Sequence, residues 1–227
     1  MSSDFVNVYD DRARASAYAA LEFPGTYYLA YRDLPAIIGE HVHGRKAVDF
    51  GCGAGRSTRF LRMLGFDAVG TDIAEPMLAL ARERDSGGEY LLVPDGDLSA
   101  LPASTYDLVL SVFTFDNVPT LEKKVALFRS LKQLLTGQGR IVSLVSTPDI
   151  YVNEWASFST KDFPGNRTAR SGERVFTVML DVEDRRPVAD ILCTDEDYQE
   201  VYRRAELVPL KTYRPLAKPR EPFSGVS

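Results

Sequence analysis

The stretch Ala47-Val48-Asp49-Phe50-Gly51-Cys52-Gly53-Ala54-Gly55-Arg56-Ser57-Thr58-Arg59-Phe60-Leu61 decides the fold. A short apolar run, glycines at alternate positions and the opening of a helix follow one another without a spacer, which reads as a strand turning directly into a helix. Gly51, Gly53 and Gly55 can take a positive φ and let a ligand approach the backbone, and the free N–H groups at a helix start attract electronegative atoms. The stretch therefore predicts a ligand cradle over a strand end. A dinucleotide turn of the form G-x-G-x-x-G would need a third glycine at position 56, where Arg56 stands, so a pyrophosphate turn for NAD is disfavoured.

A second anchor lies about one helix and one strand further on, where Ala68-Val69-Gly70-Thr71-Asp72-Ile73 reads as another strand ending in an acid. A carboxylate at that place can accept both hydroxyls of a ribose, so the cradle points to an adenosine-type cofactor. Asp49, Gly51, Gly53, Gly55 and Asp72 together resemble, in type, order and spacing, the first two motifs of the class I, Rossmann-like S-adenosylmethionine-dependent methyltransferases of the small-molecule kind. The resemblance implies an α/β fold, a mostly parallel sheet with helices on both faces. It also implies S-adenosylmethionine as cofactor, with S-adenosylhomocysteine as product, and Ile73 and Met77 near the adenine and methionine ends.

Further along the chain, Glu89 to Val93 reads as strand three and runs into Pro94-Asp95-Gly96-Asp97-Leu98. The resemblance puts an acid and an apolar residue against the adenine here. Asp97 and Leu98 match best, with Asp95 as competitor because Asp-Gly-Asp is also a turn sequence. Strand four, Tyr106 to Phe113, leads into Thr114-Phe115-Asp116-Asn117. The resemblance makes this the strand end that faces the transferable methyl group and the acceptor. Phe113 and Phe115 are expected as walls for a sulfonium, since ring faces favour a cation by ~0.5–2 kcal/mol. Asp116 and Asn117 are expected to orient the acceptor, Asp116 as the candidate catalytic carboxylate; its alternative is an N-cap for the helix that follows.

The outer parts of the chain are read as walls. Residues 4–42 read as two helical pieces broken at Pro24-Gly25 and crowded with Tyr9, Tyr18, Phe23, Tyr27, Tyr28 and Tyr31, a cap over the core in which Tyr27 and Tyr28 are candidate substrate contacts. The amphipathic Leu121 to Leu135 reads as a helix, Thr136-Gly137-Gln138-Gly139 as its end, and Arg140 to Val145 as strand five. Arg174 to Val182 and Pro187 to Cys193 alternate around Glu183-Asp184-Arg185-Arg186, a hairpin arm inserted after strand five. Trp155, just before it, is a candidate acceptor wall or plain packing. A helix opens at Thr194, Leu207 to Tyr213 is strand-like, and residues 215–227 read as a polar tail. The expected division is a single domain over residues 1–227, made of a cap (1–44), a cofactor-binding core (45–147), the arm with the last core elements (148–214) and the tail.

Composition narrows the function. A formal net charge of −5 disfavours a nucleic-acid partner. No run reaches the ~18 apolar residues of a membrane span, and the N-terminus shows no secretory pattern, so a cytoplasmic protein with free thiols at Cys52 and Cys193 is expected. The cysteines and the two histidines, His41 and His43, form no metal-ligand spacing, so no metal is expected. Both histidines precede strand one, at the edge opposite the cradle, which makes them poor bases. The expected activity is methyl transfer to a nitrogen, carbon or oxygen of a small aromatic or heterocyclic metabolite. The alternatives are a binding module without transfer and, further off, a short Rossmann oxidoreductase. The oligomeric state has no signal in the sequence.

Overall fold

Strand β1 (Lys46–Phe50) is buried along all but its first residue, and it is the centre from which the molecule is built. A strand buried on both faces needs cover on both, and the sequence supplies it by alternation. In the computed structural model, which describes residues 11–21 and 27–216, Val48 and Phe50 point into one apolar layer and Ala47 into the other. Strands β2 (Asp67–Asp72), β3 (Glu89–Leu92), β4 (Tyr106–Val112) and β5 (Leu135–Leu144) complete a parallel sheet of order β3-β2-β1-β4-β5. The order reverses beside β1, between β1 and β4, and parallel α/β sheets bind ligands at such a point, beyond the carboxyl ends of the strands.

One face is covered by α6 (Leu121–Leu134) and α7 (Asp195–Arg204), whose Phe128, Leu131 and Val201 meet Val48 and Val109. The other carries α3 (Leu34–His41) and α4 (Arg56–Met63), with Ile38, Phe60 and Leu61 against Ala47, Ala68 and Leu108. Helix α5 (Glu75–Arg84) covers the β2–β3 side, and Leu78 and Ala81 are fully buried there. The cap consists of α1 (Arg12–Ala19) and α2 (Tyr28–Arg32). The Pro24-Gly25 break, Phe23 and Tyr9 lie outside the described residues.

The arm is a small antiparallel sheet of β6 (Phe158–Ser159), β7 (Arg174–Met179) and β8 (Val188–Ile191) in that order. Its hairpin strands are shorter than the alternation suggests. Two further differences have plain causes. The glycines at 137 and 139 do not close α6 before a clean strand; β5 begins at once, pairs Leu135 with Tyr106, then resumes at Arg140 opposite Leu108, with the intervening residues bulged out. Residues 207–213 form no strand: Val208 and Leu210 are exposed, and the segment instead ties Tyr213 to His41 and Glu40 on α3 by side-chain hydrogen bonds. A strand needs a ladder partner, and none of the described residues offers one there.

Candidate functional site

The glycine turn sits at the carboxyl end of β1. Gly51, Gly53 and Gly55 have φ of 74°, 54° and 78°. At Gly51 and Gly55 a side chain would also strike the protein itself, a Cβ lying 2.1 Å from Thr114 Oγ1 and 2.6 Å from the Tyr90 hydroxyl. At Gly53 only Met77 Cε is near, at 3.1 Å, and the residue borders a cavity. The outer glycines thus let the turn fold against its own supports, and the middle one leaves a bare backbone surface.

Asp49 holds the turn from beneath. It is fully buried, and its Oδ2 accepts hydrogen bonds of 2.6 Å from both the Ser57 and the Thr58 hydroxyls at the start of α4. Burial pushes its carboxyl up to about 6, against the pull of those two donors. Its Oδ1 is buried without a protein partner. Asp72 closes the turn from the side, accepting from the Gly53 N–H at 2.8 Å and the Ala74 N–H at 2.9 Å, one on each oxygen. Both donors fix the orientation of the carboxylate at the side of the turn. Ile73 beside it is exposed, unusual for a large apolar residue, whereas Met77 is buried under Gly53.

The cavity over Gly53 is roofed in part by the cap. Tyr18, Tyr27 and Tyr31 line it opposite the turn, and Val112 and Phe113 line it from the end of β4. The Tyr27 hydroxyl donates to that of Tyr18 at 2.8 Å, and its ring packs on Phe113 with centroids 5.8 Å apart. Arg56, the first residue of α4, reaches into the same space with its guanidinium 4.1 Å from the centre of the Tyr27 ring. Arg56 and Tyr18 are site residues that sequence reasoning did not single out. The signal was available in the position of Arg56 immediately after the last glycine.

Phe113 and Phe115 do not act as a pair. In a strand they would share a face, but Phe113 has φ 60°, a left-handed conformation that costs a non-glycine residue of order 1–3 kcal/mol, and a 3-10 turn over Thr114–Asn117 follows. The reversal leaves Phe113 at the cavity and turns Phe115 into the core, fully buried and stacked on Phe128 at 4.0 Å. Phe115 is therefore a packing residue and not a wall of the site.

Asp116 and Asn117 lie behind this turn, under the arm. Both oxygens of Asp116 accept the Ser146 N–H, at 3.1 and 3.2 Å, and the N-cap of α6 is Thr120. The Asn117 amide donates to Asp190 of β8 at 2.5 Å, and the Tyr151 hydroxyl donates to the other Asp190 oxygen at 3.1 Å. Lys124 of α6, also buried, donates to the Phe115 carbonyl. Burial and the neighbouring Asp190 push Asp116 up to about 7; burial pushes Asp190 up to about 6. Two carboxylates and one ammonium share this dry space, so a single proton between the carboxylates brings the cluster to neutrality. Neither Asp116 nor Asn117 lines the cavity.

The remaining expected contacts are dispersed. Tyr28 and Trp155 do not line the cavity, and the Trp155 indole donates to the Ile150 carbonyl on the arm. At the end of β3, Leu98 belongs to the core, while exposed Asp97 accepts the Ser99 N–H. Its competitor Asp95 pairs with Lys123 at 2.8 Å. His41 and His43 lie ahead of β1, and both cysteines are free and buried. No described group of histidine, cysteine and acid side chains could hold a metal. No described helix is long and apolar enough to cross a membrane.

The left-handed glycines, the bare surface at Gly53, the doubly anchored Asp72 and the unpartnered Asp49 oxygen fit a nucleoside cofactor with a polar tail. Comparison with known proteins agrees with that geometry. Residues 48–143 match the family described as "Methyltransferase domain". The ubiquinone biosynthesis O-methyltransferase of Bordetella avium is 34% identical over 82 residues, 34% of each chain, so this chain spans about a third of that relative. Among solved structures, DesVI of Streptomyces venezuelae superposes with a TM-score of 0.61 at 18% identity, over 86% of this chain and 89% of that one. An S-adenosylmethionine-dependent methyltransferase from Clostridium acetobutylicum gives 0.60 at 12% identity, over 93% and 92%. The protein thus has the fold of the class I, Rossmann-like S-adenosylmethionine-dependent methyltransferases.

Proposed function

We propose that the protein transfers a methyl group from S-adenosylmethionine to a nitrogen, carbon or oxygen of a small aromatic or heterocyclic metabolite. The observation that carries the reading is the cavity over Gly53, walled by the glycine turn, the end of β4 and the tyrosines of the cap. A binding module needs only the turn, whereas an added aromatic ceiling suits a reaction that must limit access of water.

The cofactor supplies its methyl on a sulfonium, and displacement there needs little more than alignment of an electron-rich atom with the methyl carbon. Holding reactants at ~3–3.5 Å in line can supply most of ~7–11 kcal/mol. Asp72 would hold the ribose, the Gly53 backbone would pass under the ligand, and Phe113 and Tyr27 would face the sulfonium. Burial raises the Tyr18 and Tyr31 phenols above their ordinary range, so at neutral pH they stay protonated and are poor bases. Asp116 is the carboxylate with a proton affinity suited to base work at neutral pH. Its bonds to Ser146 make it, in this reading, a positioning residue that sets the acceptor wall through the arm. The relative from Bordetella avium, named as an O-methyltransferase, makes an oxygen acceptor one worth trying first.

The test is incubation of the protein with methyl-labelled cofactor and a panel of phenols, heteroaromatic amines and activated carbons, read by mass spectrometry. Labelled product formed in proportion to enzyme supports the reading. Tight binding of S-adenosylhomocysteine with no transfer to any class would favour a binding module.

A further inference from the structure

The arm is held to the rest of the molecule by two kinds of contact. Met179 is buried in the apolar layer that holds Leu108 and Leu110, while Tyr151, Val175 and Leu192 form a small core within the arm itself. At the end of β4 the seam is polar. The Asn117 amide donates to Asp190 of β8, and both oxygens of Asp116 accept the N–H of Ser146, just past the end of β5 on the way into the arm. Lys124 supplies an ammonium beside them and donates to the Phe115 carbonyl. Asp116 and Lys124 are buried and Asp190 is half-buried. One ammonium balances one carboxylate, so the second acid must hold a proton or leave an uncompensated charge in the seam.

The donors decide where that proton resides. Asp190 takes one donor on each oxygen, Asn117 at 2.5 Å and Tyr151 at 3.1 Å, which favours its charged form. Asp116 has the single Ser146 N–H shared between its two oxygens, so it is the acid that keeps the proton. We propose that this proton is a latch between arm and core. While Asp116 holds it, β8 stays docked on the 3-10 turn over Thr114–Asn117; once it leaves, the two carboxylates repel and β8 loosens. The β7–β8 connection also holds α1, through Arg186 to Asp11, so release of β8 is passed on to the cap. No cofactor or acceptor enters this latch.

The other groups facing the pair do not supply this switch. Burial raises the phenols of Tyr151 in the arm, Tyr198 of α7 and Tyr18 of α1, and pushes the Cys193 thiol up to about 11, so all four stay protonated near neutrality. Burial draws Lys124 down, against Cys193 and the two acids, and loss of its proton would loosen the seam in the same direction. The chain's two histidines, His41 and His43, lie ahead of β1, at the other end of the sheet. Asp116 titrates at about 7 when docked and near the ordinary 3.9 when exposed, which alone shifts docking about tenfold toward release between pH 6 and pH 8.

Amide exchange of the ligand-free full chain, read by mass spectrometry and corrected for intrinsic rates, tests the latch. Protection over residues 188–192 is expected to fall about tenfold or more from pH 6 to pH 8 and to ignore dilute urea, as local opening does, whereas β1 responds to urea as global unfolding does. In Asp116→Asn the remaining Asp190, at about 6, leaves a difference of only about twofold. Asp190→Asn removes the repelling charge and should move the midpoint of the transition to lower pH, which loss of a merely structural contact would not do. Equal protection over 188–192 at the two pH values overturns the proposal, as does exchange there that follows urea in step with β1. So does an Asp116→Asn difference as large as that of wild type. The wild-type comparison stands even where a variant fails to fold.

Discussion

In the proposed cofactor site Asp72 would serve both the protein and its ligand. Its two oxygens fasten the glycine turn to the start of α5 through the Gly53 and Ala74 N–H groups, so any ribose bound there meets a carboxylate already aimed. Asp72→Ala is expected to abolish detectable S-adenosylhomocysteine binding, since charge-assisted bonds to a ligand are worth ~1.5–3 kcal/mol each. It should also lower stability by about 1–3 kcal/mol, because two backbone donors lose their acceptor. Calorimetry and urea unfolding read the two effects separately. Phe115 makes the opposite case. Its truncation to Ala empties a stacked site at the centre of the core and should cost about 3–5 kcal/mol in urea unfolding. In whatever fraction stays folded, nucleoside affinity should be unchanged, because the ring does not reach the cavity. An affinity loss in folded Phe115→Ala beyond that of a remote core variant would return Phe115 to the site.

At the level of elements, the decisive contact is between α1 and the arm. Arg186, near the end of the β7–β8 connection, pairs with Asp184 on its own loop and with Asp11, the N-cap of α1, at 2.8 and 2.7 Å. Arg14 of α1 adds a hydrogen bond of 2.6 Å to the Pro187 carbonyl. Since α1 also carries Tyr18 over the cavity, this exposed clamp is expected to hold the ceiling in place. Arg186→Ala should leave the melting temperature nearly unchanged and speed amide exchange in residues 12–20, measured by mass spectrometry, with little change in β1 and β4. Unaltered exchange in α1 would mean that its packing on Ala74 and Met77 holds it instead. This clamp was not legible in the sequence, because charges on loops 175 positions apart carry no periodicity. The glycine turn and the five parallel strands were legible, because each is written in a few consecutive residues. The placement of Phe115 was not: alternation predicts a face only while the strand lasts, and the left-handed Phe113 ends it.

For the whole molecule, the buried carboxylates set how stability follows pH. Asp49 is pushed up to about 6, Asp116 to about 7 and Asp190 to about 6, in each case chiefly by burial. In the unfolded chain such groups titrate near 3.9. Between about pH 4 and pH 7 the folded state therefore binds more protons than the unfolded one, and the slope of unfolding free energy with pH is negative there. Stability contributed by these protons is complete below about pH 4 and is lost as pH rises through 6 to 7. Opposing it, Asp11 is held down to about 2 by its hydrogen bonds to Arg186 and to the Arg14 N–H, but that exposed group matters only under strong acid. Lys124 offsets part of the charge, and Tyr151 donates to Asp190 and stays protonated throughout. The ligand-free protein should accordingly melt at a higher temperature at pH 5.5 than at pH 8. Asp116→Asn keeps an acceptor for the Ser146 N–H while removing the charge, so it should flatten this dependence and raise the melting temperature at pH 8 relative to wild type. A wild-type melting temperature that rises from pH 5.5 to pH 8, or an Asp116→Asn profile parallel to wild type, would show that the pair is charged and well compensated in the folded protein.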